Sequence, residues 1–112
     1  MTTIFGKVLR REIPADIVYE DELCLAFRDI NPQAPTHVLV IPKKEIDMLS
    51  SAKAEDQALL GHMVLAACKI ARQLGVSDAF RLVVNNGAEA GQSVFHLHLH
   101  ILAGRKLRWP PG

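Results

Sequence analysis

The stretch His96-Leu97-His98-Leu99-His100-Ile101-Leu102 alternates histidine with large apolar residues, and it limits the fold more than any other part of the chain. A period of two is typical of a β-strand, because successive side chains of a strand point to opposite faces. A helix would distribute the three imidazoles around its circumference at roughly 100° per residue. The pattern therefore predicts a strand over residues 95–102, with three histidines on one face and an apolar surface, facing the core, on the other.

The remaining elements follow from periodicity and turn signals. A short helix is predicted from Thr2 or Thr3 to about Arg10, and strands are predicted over residues 17–20, 24–29, 36–41 and 80–85. One long helix is predicted over residues 54–74, with Ser50 or Ser51 as its N-cap and Gly75 after its C-terminus. Together these elements predict a single α+β domain over residues 1–112, in which five strands form an antiparallel sheet and the long helix covers its apolar face.

Charge and hydropathy exclude several classes of protein. A formal net charge of +1 argues against a nucleic-acid interface. The chain has no apolar run of about 20 residues and no basic segment leading into one, so we expect a cytoplasmic protein without a membrane segment. Cys24 and Cys68 are far apart in sequence and lie among apolar residues, which predicts reduced thiols.

Three imidazoles on one face of a strand suit two kinds of chemistry. Histidine is the commonest metal ligand, but His96 and His100 would lie roughly 13 Å apart on a strand, too far for one ion unless both rings lean inward. His37 is a candidate further ligand. A neutral imidazole is also a nucleophile and proton carrier at neutral pH, and the preceding segment Gly91-Gln92-Ser93 can present N–H groups and a hydroxyl to an anion. From the residues alone, both interpretations remain open.

The chain resembles the histidine triad family, whose signature His-x-His-x-His followed by apolar residues is present at residues 96–102. The resemblance to the HINT branch of nucleotide-binding proteins extends almost from end to end. It is carried by the segments Ile4-Phe5-Gly6-Lys7, Pro32-Gln33-Ala34-Pro35-Thr36-His37, Leu39-Val40-Ile41-Pro42-Lys43-Lys44, Gly91-Gln92-Ser93-Val94 and Trp109-Pro110-Pro111-Gly112. It implies a homodimer, with the sheet extended across both subunits, that hydrolyses adenosine or guanosine phosphoramidates, conjugates of AMP or GMP with an amine, without a cofactor or metal.

The resemblance also implies a role for each matching residue. His98 would be the nucleophile that forms a nucleotidyl-histidine intermediate, His96 and His100 would flank it, and His37 would support the network from the neighbouring strand. Asp29 would hold the ribose hydroxyls. The phosphate would be contacted by Asn85, Gly91, Ser93 and Val94, and the base would lie between apolar walls formed by Ile4, Phe5, Val8, Ile13, Phe27 and Ile30.

Two departures and three alternatives accompany this hypothesis. Glu45 and Arg28 stand where members of the branch often have histidine, which leaves substrate preference open.

The C-terminal tail, residues 104–112 with Trp109, is expected to reach toward the partner's site. A dinucleoside polyphosphate hydrolase of the fragile histidine triad branch, a nucleotide-binding regulatory scaffold and a zinc-binding protein are the competing interpretations.

Overall fold

Five antiparallel strands form one sheet in the computed structural model, which describes residues 3–112. The strands are β1 (Ile17–Glu20), β2 (Cys24–Arg28), β3 (Thr36–Pro42), β4 (Phe80–Val83) and β5 (Leu99–Ala103), and their spatial order is β1-β2-β3-β5-β4. The helices are α1 (Ile4–Leu9) and α2 (Gln57–Gln73), with short 3₁₀ turns at Leu49–Ser51, Ala54–Asp56 and Ala88–Ala90. The predicted α+β class and the five-stranded antiparallel sheet are confirmed.

Helix α2 covers one face of the sheet, as its apolar stripe predicts. Its core-facing residues include Met63, Ala67 and Ile70, and all three are buried. They pack in one cluster with the apolar residues that alternate with the histidines, namely Leu97, Leu99 and Ile101. The histidines are consequently directed to the opposite face.

Helix α1 packs on that opposite face. Phe5 and Val8 are buried in a second cluster with Leu25, Phe27, Leu39 and Ile41 of strands β2 and β3. Thr3 is the N-cap, and its Oγ1 accepts a hydrogen bond from the Gly6 N–H at 3.0 Å. The alternative cap, Thr2, lies outside the described residues.

The start of the long helix differs from the prediction. Residues 54–56 form a 3₁₀ turn, α2 begins at Gln57, and its N-cap is Asp56 rather than Ser50 or Ser51. Asp56 is buried, and its carboxylate accepts both the Lys53 N–H at 2.9 Å and the Lys44 ammonium at 2.6 Å. The carboxylate thus caps the preceding 3₁₀ turn and makes no side-chain hydrogen bond to the first N–H groups of α2, and the two serines lie further upstream, in the turn Leu49–Ser51. Gly75, with φ of +75°, follows the C-cap as expected.

The histidine strand is shorter than predicted, because β5 begins at Leu99 and the segment 95–98 pairs with no strand. The ladder with β3 ends at Val40 and Leu99. Beyond it, the Leu97 N–H donates to the Ile46 carbonyl at 2.7 Å, and the His96 carbonyl accepts from the His98 side chain instead of from a strand. The alternation of faces nevertheless continues through this segment. Strands β2 and β4 likewise end before their predicted limits, at Arg28 and Val83, and β3 includes Pro42.

Two further predictions concern the whole chain. Both cysteines are free thiols, with Cys24 buried and Cys68 partly buried. Within residues 3–112, neither helix has the length and apolar character that crossing a membrane requires.

Candidate active site

The His98 ring is held in a defined protonation state by a backbone group. Its Nδ1 lies 2.7 Å from the His96 carbonyl oxygen. Since a carbonyl only accepts hydrogen bonds, Nδ1 carries the hydrogen, and Nε2 of the neutral ring keeps its lone pair. Burial lowers the pKa of His98 below the ordinary histidine value, although the hydrogen bond to the His96 carbonyl opposes this. The ring of Phe5 packs edge-on against His98 at 5.0 Å between centroids. His98 therefore presents an unprotonated, oriented nitrogen.

His37 and His100 are joined in a hydrogen-bonded chain, called the relay below, and the backbone N–H of Gln33 determines which ring nitrogens carry the hydrogens. The Gln33 N–H donates to His37 Nδ1 at 3.0 Å, so the His37 hydrogen must be on Nε2. That nitrogen lies 2.9 Å from Nδ1 of His100, which accepts it. The neutral His100 ring then carries its hydrogen on Nε2. The arrangement follows from one backbone N–H group, since each imidazole has one donor and one acceptor.

His100 Nε2 is the end of this relay, and it is buried without a hydrogen-bond partner among the described residues. A buried unpaired donor is unfavourable, and such groups are often completed by a ligand or by water. Burial first, and then the neighbouring His98 and His37, lowers the pKa of His100 to about 4. The rings of His98 and His100 lie 4.9 Å apart between centroids. The pair thus places a lone-pair nitrogen beside an N–H donor, which suits attack on a centre that carries an anionic oxygen.

Asp29 supplies the negative charge nearest to the relay. Its Oδ1 accepts the Asn31 N–H at 2.8 Å, and its Oδ2 lies 3.5 Å from His37 Nε2. This charge opposes the effect of burial, which lowers the pKa of His37. The ligand atoms of Asp29, His37 and His100 lie within 4.8 Å of one another, so these residues are also a candidate metal-binding group.

His96 differs from the other histidines of the triad, because its ring faces the protein interior. The side chain is almost fully buried. Its Nε2 donates to the Pro42 carbonyl at 3.0 Å, and its Nδ1 lies 3.5 Å from Thr3 Oγ1. Its backbone carbonyl, rather than its ring, contacts His98. The structure thus places the His96 ring in a supporting position.

A cavity of about 250 Å³ lies beside the triad, and most of its walls were predicted as substrate-binding. Its lining includes nine of those residues, namely Ile4, Phe5, Val8, Ile13, Phe27, Asp29, Ile30, Ser93 and Val94. Two lining residues also contact the histidines: the Phe5 ring packs against His98, and Asp29 Oδ2 lies 3.5 Å from His37 Nε2. Pro14, Ala15, Arg28 and Leu39 complete the lining, and none of the four was assigned to the cavity from the sequence. Ile30 is 97% exposed in the single chain.

The loop before the triad is held in place by the side chain of Gln92, for which the sequence predicted only a backbone contact. Gln92 is buried; its Oε1 accepts the Gly87 N–H at 2.8 Å, and its Nε2 donates to the carbonyls of Asp47 and Val94. The backbone N–H groups of Gly91 and Gln92 donate to the carbonyls of Ala88 and Gly87, so each already has a partner within the loop, and their contact with an anion stays a prediction.

Two predicted phosphate-contacting residues meet in the same loop. Gly91 has φ of +98°, and a Cβ there would lie 3.5 Å from Asn85 Nδ2, so Asn85 packs directly against this glycine. Ser93 is exposed and lies on the cavity wall. By contrast, Trp109 is 82% exposed and does not line the cavity of its own chain.

Comparison with known proteins gives consistent matches. The family model of the HIT domain matches residues 10–107. An uncharacterized HIT-like protein of Synechocystis sp. is 68% identical over 110 residues, covering 98% of this chain and 96% of the relative. A 14 kDa zinc-binding protein of Zea mays is 51% identical over 112 residues, covering 98% and 88%.

Two solved structures are also similar to this chain over most of its length. A HIT family hydrolase from Legionella pneumophila Philadelphia 1 has a TM-score of 0.96 and 47% identity, covering 99% of this chain and 100% of that one. A histidine triad nucleotide-binding protein from Candida albicans has a TM-score of 0.84 and 28% identity, covering 97% and 83%.

Proposed function

Because the chain belongs to the HIT domain family, we propose that it is a nucleotide hydrolase of the HINT branch, acting on purine nucleoside 5′-phosphoramidates. The observation that carries the proposal is the complementary pair formed by the His98 Nε2 lone pair and the His100 Nε2–H. The hydrolase from L. pneumophila and the nucleotide-binding protein from C. albicans, both similar over nearly all of this chain, support the same class.

The proposed reaction has two steps. In the first, His98 Nε2 forms a bond to phosphorus, the P–N bond of the substrate breaks, and the amine leaves with the electron pair and takes a proton from solvent. His100 donates a hydrogen bond to a phosphoryl oxygen while negative charge develops there. In the second, water bonds to phosphorus, the bond to His98 breaks, and water releases a proton. The products are a nucleoside monophosphate and a free amine, and both histidines return to their starting forms.

Substrate positioning is assigned to the neighbouring cavity. Its apolar walls suit a purine ring, and the Asp29 carboxylate, at the cavity edge, suits the two ribose hydroxyls. Asn85, Gly91, Ser93 and Val94 are proposed to lie along the phosphate, with the Ser93 hydroxyl free to turn toward an oxygen. His37 and His96 are positioning residues, since one orients the His100 ring and the other holds the carbonyl that orients His98.

A homodimer is part of the proposal. Strand β4 is an edge of the sheet and has no neighbour beyond it in the described chain. Val64 and Leu65 of α2 are 44% and 70% exposed, which provides apolar surface for a second copy in addition to that edge. In such a dimer the tail with Trp109 would reach toward the partner's site.

The decisive experiment is detection of the covalent intermediate. The full chain is mixed with adenosine 5′-phosphoramidate and quenched within milliseconds by denaturant at alkaline pH, because a phosphorus–histidine bond is labile in acid. Intact-mass analysis should show one nucleotidyl adduct on the wild type and none on His98→Gln, whereas His62→Asn, which changes a histidine outside the site, should retain it. An adduct on His98→Gln, or hydrolysis by it at the wild-type rate, would falsify the assignment of the nucleophile.

Three other functions have separate tests. A faster rate on a diadenosine polyphosphate than on the phosphoramidate would favour the dinucleoside polyphosphate hydrolase. A biological effect retained by His98→Gln would favour a nucleotide-binding scaffold. The maize relative is named as zinc-binding, and Asp29, His37 and His100 form a candidate metal group, so loss of hydrolysis after chelation, restored by zinc, would place a metal in the reaction.

A further inference from the structure

A second cluster of metal-ligating side chains lies away from the triad, where the β1–β2 turn meets α2. Asp21 lies in the turn, Cys24 begins β2, and His62 is on α2, 41 residues from Asp21 in sequence. One ligand atom from each lies within 4.8 Å of the others. Cys24 is fully buried, while the side chains of Asp21 and His62 are 24% and 37% exposed.

The Asp21 carboxylate is fixed so that one oxygen faces the other two residues. Its Oδ1 accepts the backbone N–H groups of Leu23 and Cys24 at 2.8 and 2.9 Å. Its Oδ2 is approached by the Tyr19 hydroxyl at 2.8 Å, His62 Nε2 at 2.7 Å and Cys24 Sγ at 3.7 Å. Three donors therefore converge on a single carboxylate oxygen. Hydrogen bonds from the backbone to a carboxylate are the outer contacts that hold metal ligands in place.

The distances between these atoms are close to those of a tetrahedral zinc site. With bonds of about 2.0 Å to oxygen and nitrogen and about 2.3 Å to sulfur, the ligand atoms lie about 3.3 to 3.6 Å apart. The observed separations are 2.7 Å for nitrogen to oxygen and 3.7 Å for sulfur to oxygen. Since His62 is partly exposed on the helix surface, its ring can move outward by the roughly 0.6 Å that separates the nitrogen–oxygen distance from the tetrahedral value.

We propose that Asp21, Cys24 and His62 form a binding site for a divalent transition-metal ion of the zinc type, separate from the triad. A thiolate and an imidazole select such an ion over magnesium and calcium, which prefer oxygen ligands. A cavity of about 320 Å³ borders His62, Tyr19 and Cys68, so solvent reaches the His62 side of the cluster.

Binding of the ion at this site releases a proton and stabilises the folded chain. The Cys24 thiol releases one proton to solvent when its sulfur bonds to the metal, and His62 binds through Nε2 with its hydrogen on Nδ1. The Tyr19 hydroxyl keeps its hydrogen bond to Asp21. The ion replaces hydrogen bonds between the β1–β2 turn and α2 with coordinate bonds, and it therefore stabilises the folded chain.

Cobalt is the probe that separates this site from the histidines of the triad. Metal-free full chain is titrated with Co²⁺, because a cobalt–thiolate bond gives a charge-transfer band in the near ultraviolet and coordination by nitrogen and oxygen alone does not. We expect the band in the wild type, its loss in Cys24→Ser, and its retention in Cys68→Ser, which changes the other thiol. His62→Asn should weaken Co²⁺ affinity by about 100-fold and Tyr19→Phe by about 10-fold.

A second measurement covers variants that fold poorly. Zn²⁺ should raise the thermal unfolding midpoint of the wild type and of Cys68→Ser, but not that of Cys24→Ser or His62→Asn, whose metal-free midpoints serve as references. The proposal is overturned if the wild type gives no thiolate band, if the band depends on Cys68, or if binding is lost only in His37→Asn and His100→Asn. These readouts do not use hydrolysis, so they stand apart from the test of the proposed function.

Discussion

His100 should make the protein lose stability in mild acid. Its pKa falls from 6.5 to about 4 in the folded chain, because burial and the neighbouring imidazoles disfavour the charged ring. The unfolded chain therefore binds more protons than the folded chain between these values, and the free energy of unfolding decreases as pH falls. The full contribution is present above pH 6.5 and is lost progressively toward pH 4.

The size of the effect follows from the two pKa values. Linkage between 6.5 and about 4 gives a loss of about 2 kcal/mol from pH 7 to pH 5 for this one group. The ring is only partly buried, so solvent screening reduces the expected loss to about 1 to 2 kcal/mol. The comparison of stabilities ends at pH 5, because paired carboxylates begin to bind protons below that pH.

Urea unfolding at fixed protein concentration, at pH 7, 6 and 5 with a chelator present, measures this loss. His100→Asn keeps an acceptor for the His37 Nε2–H but does not titrate, so its stability should decrease by about 1 to 2 kcal/mol less than that of the wild type over the same range. His62→Asn removes an imidazole outside the triad and should retain the loss that His100 causes. Equal acid dependence of the wild type and His100→Asn would show that the triad does not hold His100 in its neutral form.

Three further predictions concern the backbone, the charge of the site and the tail. Gly75→Ala, at φ of +75° with open space around it, should cost about 1 to 2 kcal/mol, whereas Gly104→Ala should cost at least about 1 kcal/mol more in urea unfolding, because its Cβ would lie 2.8 Å from Pro35 Cβ. Asp29→Asn removes a charge that raises the pKa values of the triad imidazoles, so the acidic limb of kcat/KM should move to lower pH; a shift to higher pH would contradict this. Deletion of residues 105–112 should change the ratio of rates between two phosphoramidates with different amines more than it changes the unfolding midpoint, and an unchanged ratio would argue against a role of the tail at the site.

The class of the sheet and its buried face were predictable because the patterns that specify them are local. The alternation at residues 96–102 and the apolar stripe of α2 each specify one buried face, and these faces meet in the core as predicted. The limits of β5 were not predictable in this way. They depend on the carbonyls of Ile46 and His96, which find partners outside the ladder only in the folded chain.

The contacts of the site were less predictable than its residues. The sequence marked most of the cavity walls through the family resemblance, but nothing in it marked the Gln33 N–H that orients His37. The burial of Gln92 and the meeting of Asp21 with His62 were equally hidden. In each case the partner is a backbone group or a residue distant in sequence. The type of a side chain predicts neither kind of contact.

Three histidines that look equivalent in the sequence have different hydrogen-bond partners in the fold, and two backbone groups determine where His98 and His100 carry their hydrogens. The His96 carbonyl fixes the hydrogen of His98 on Nδ1, and the Gln33 N–H fixes that of His100 on Nε2 through His37. Neither group titrates, so the pair keeps a lone pair beside a donor over the whole range in which both rings are neutral. Because burial lowers the pKa of both rings, that range extends below the ordinary histidine value. Replacing the His96 ring should consequently act through the position of its carbonyl, and a small residue there should lower the rate of hydrolysis.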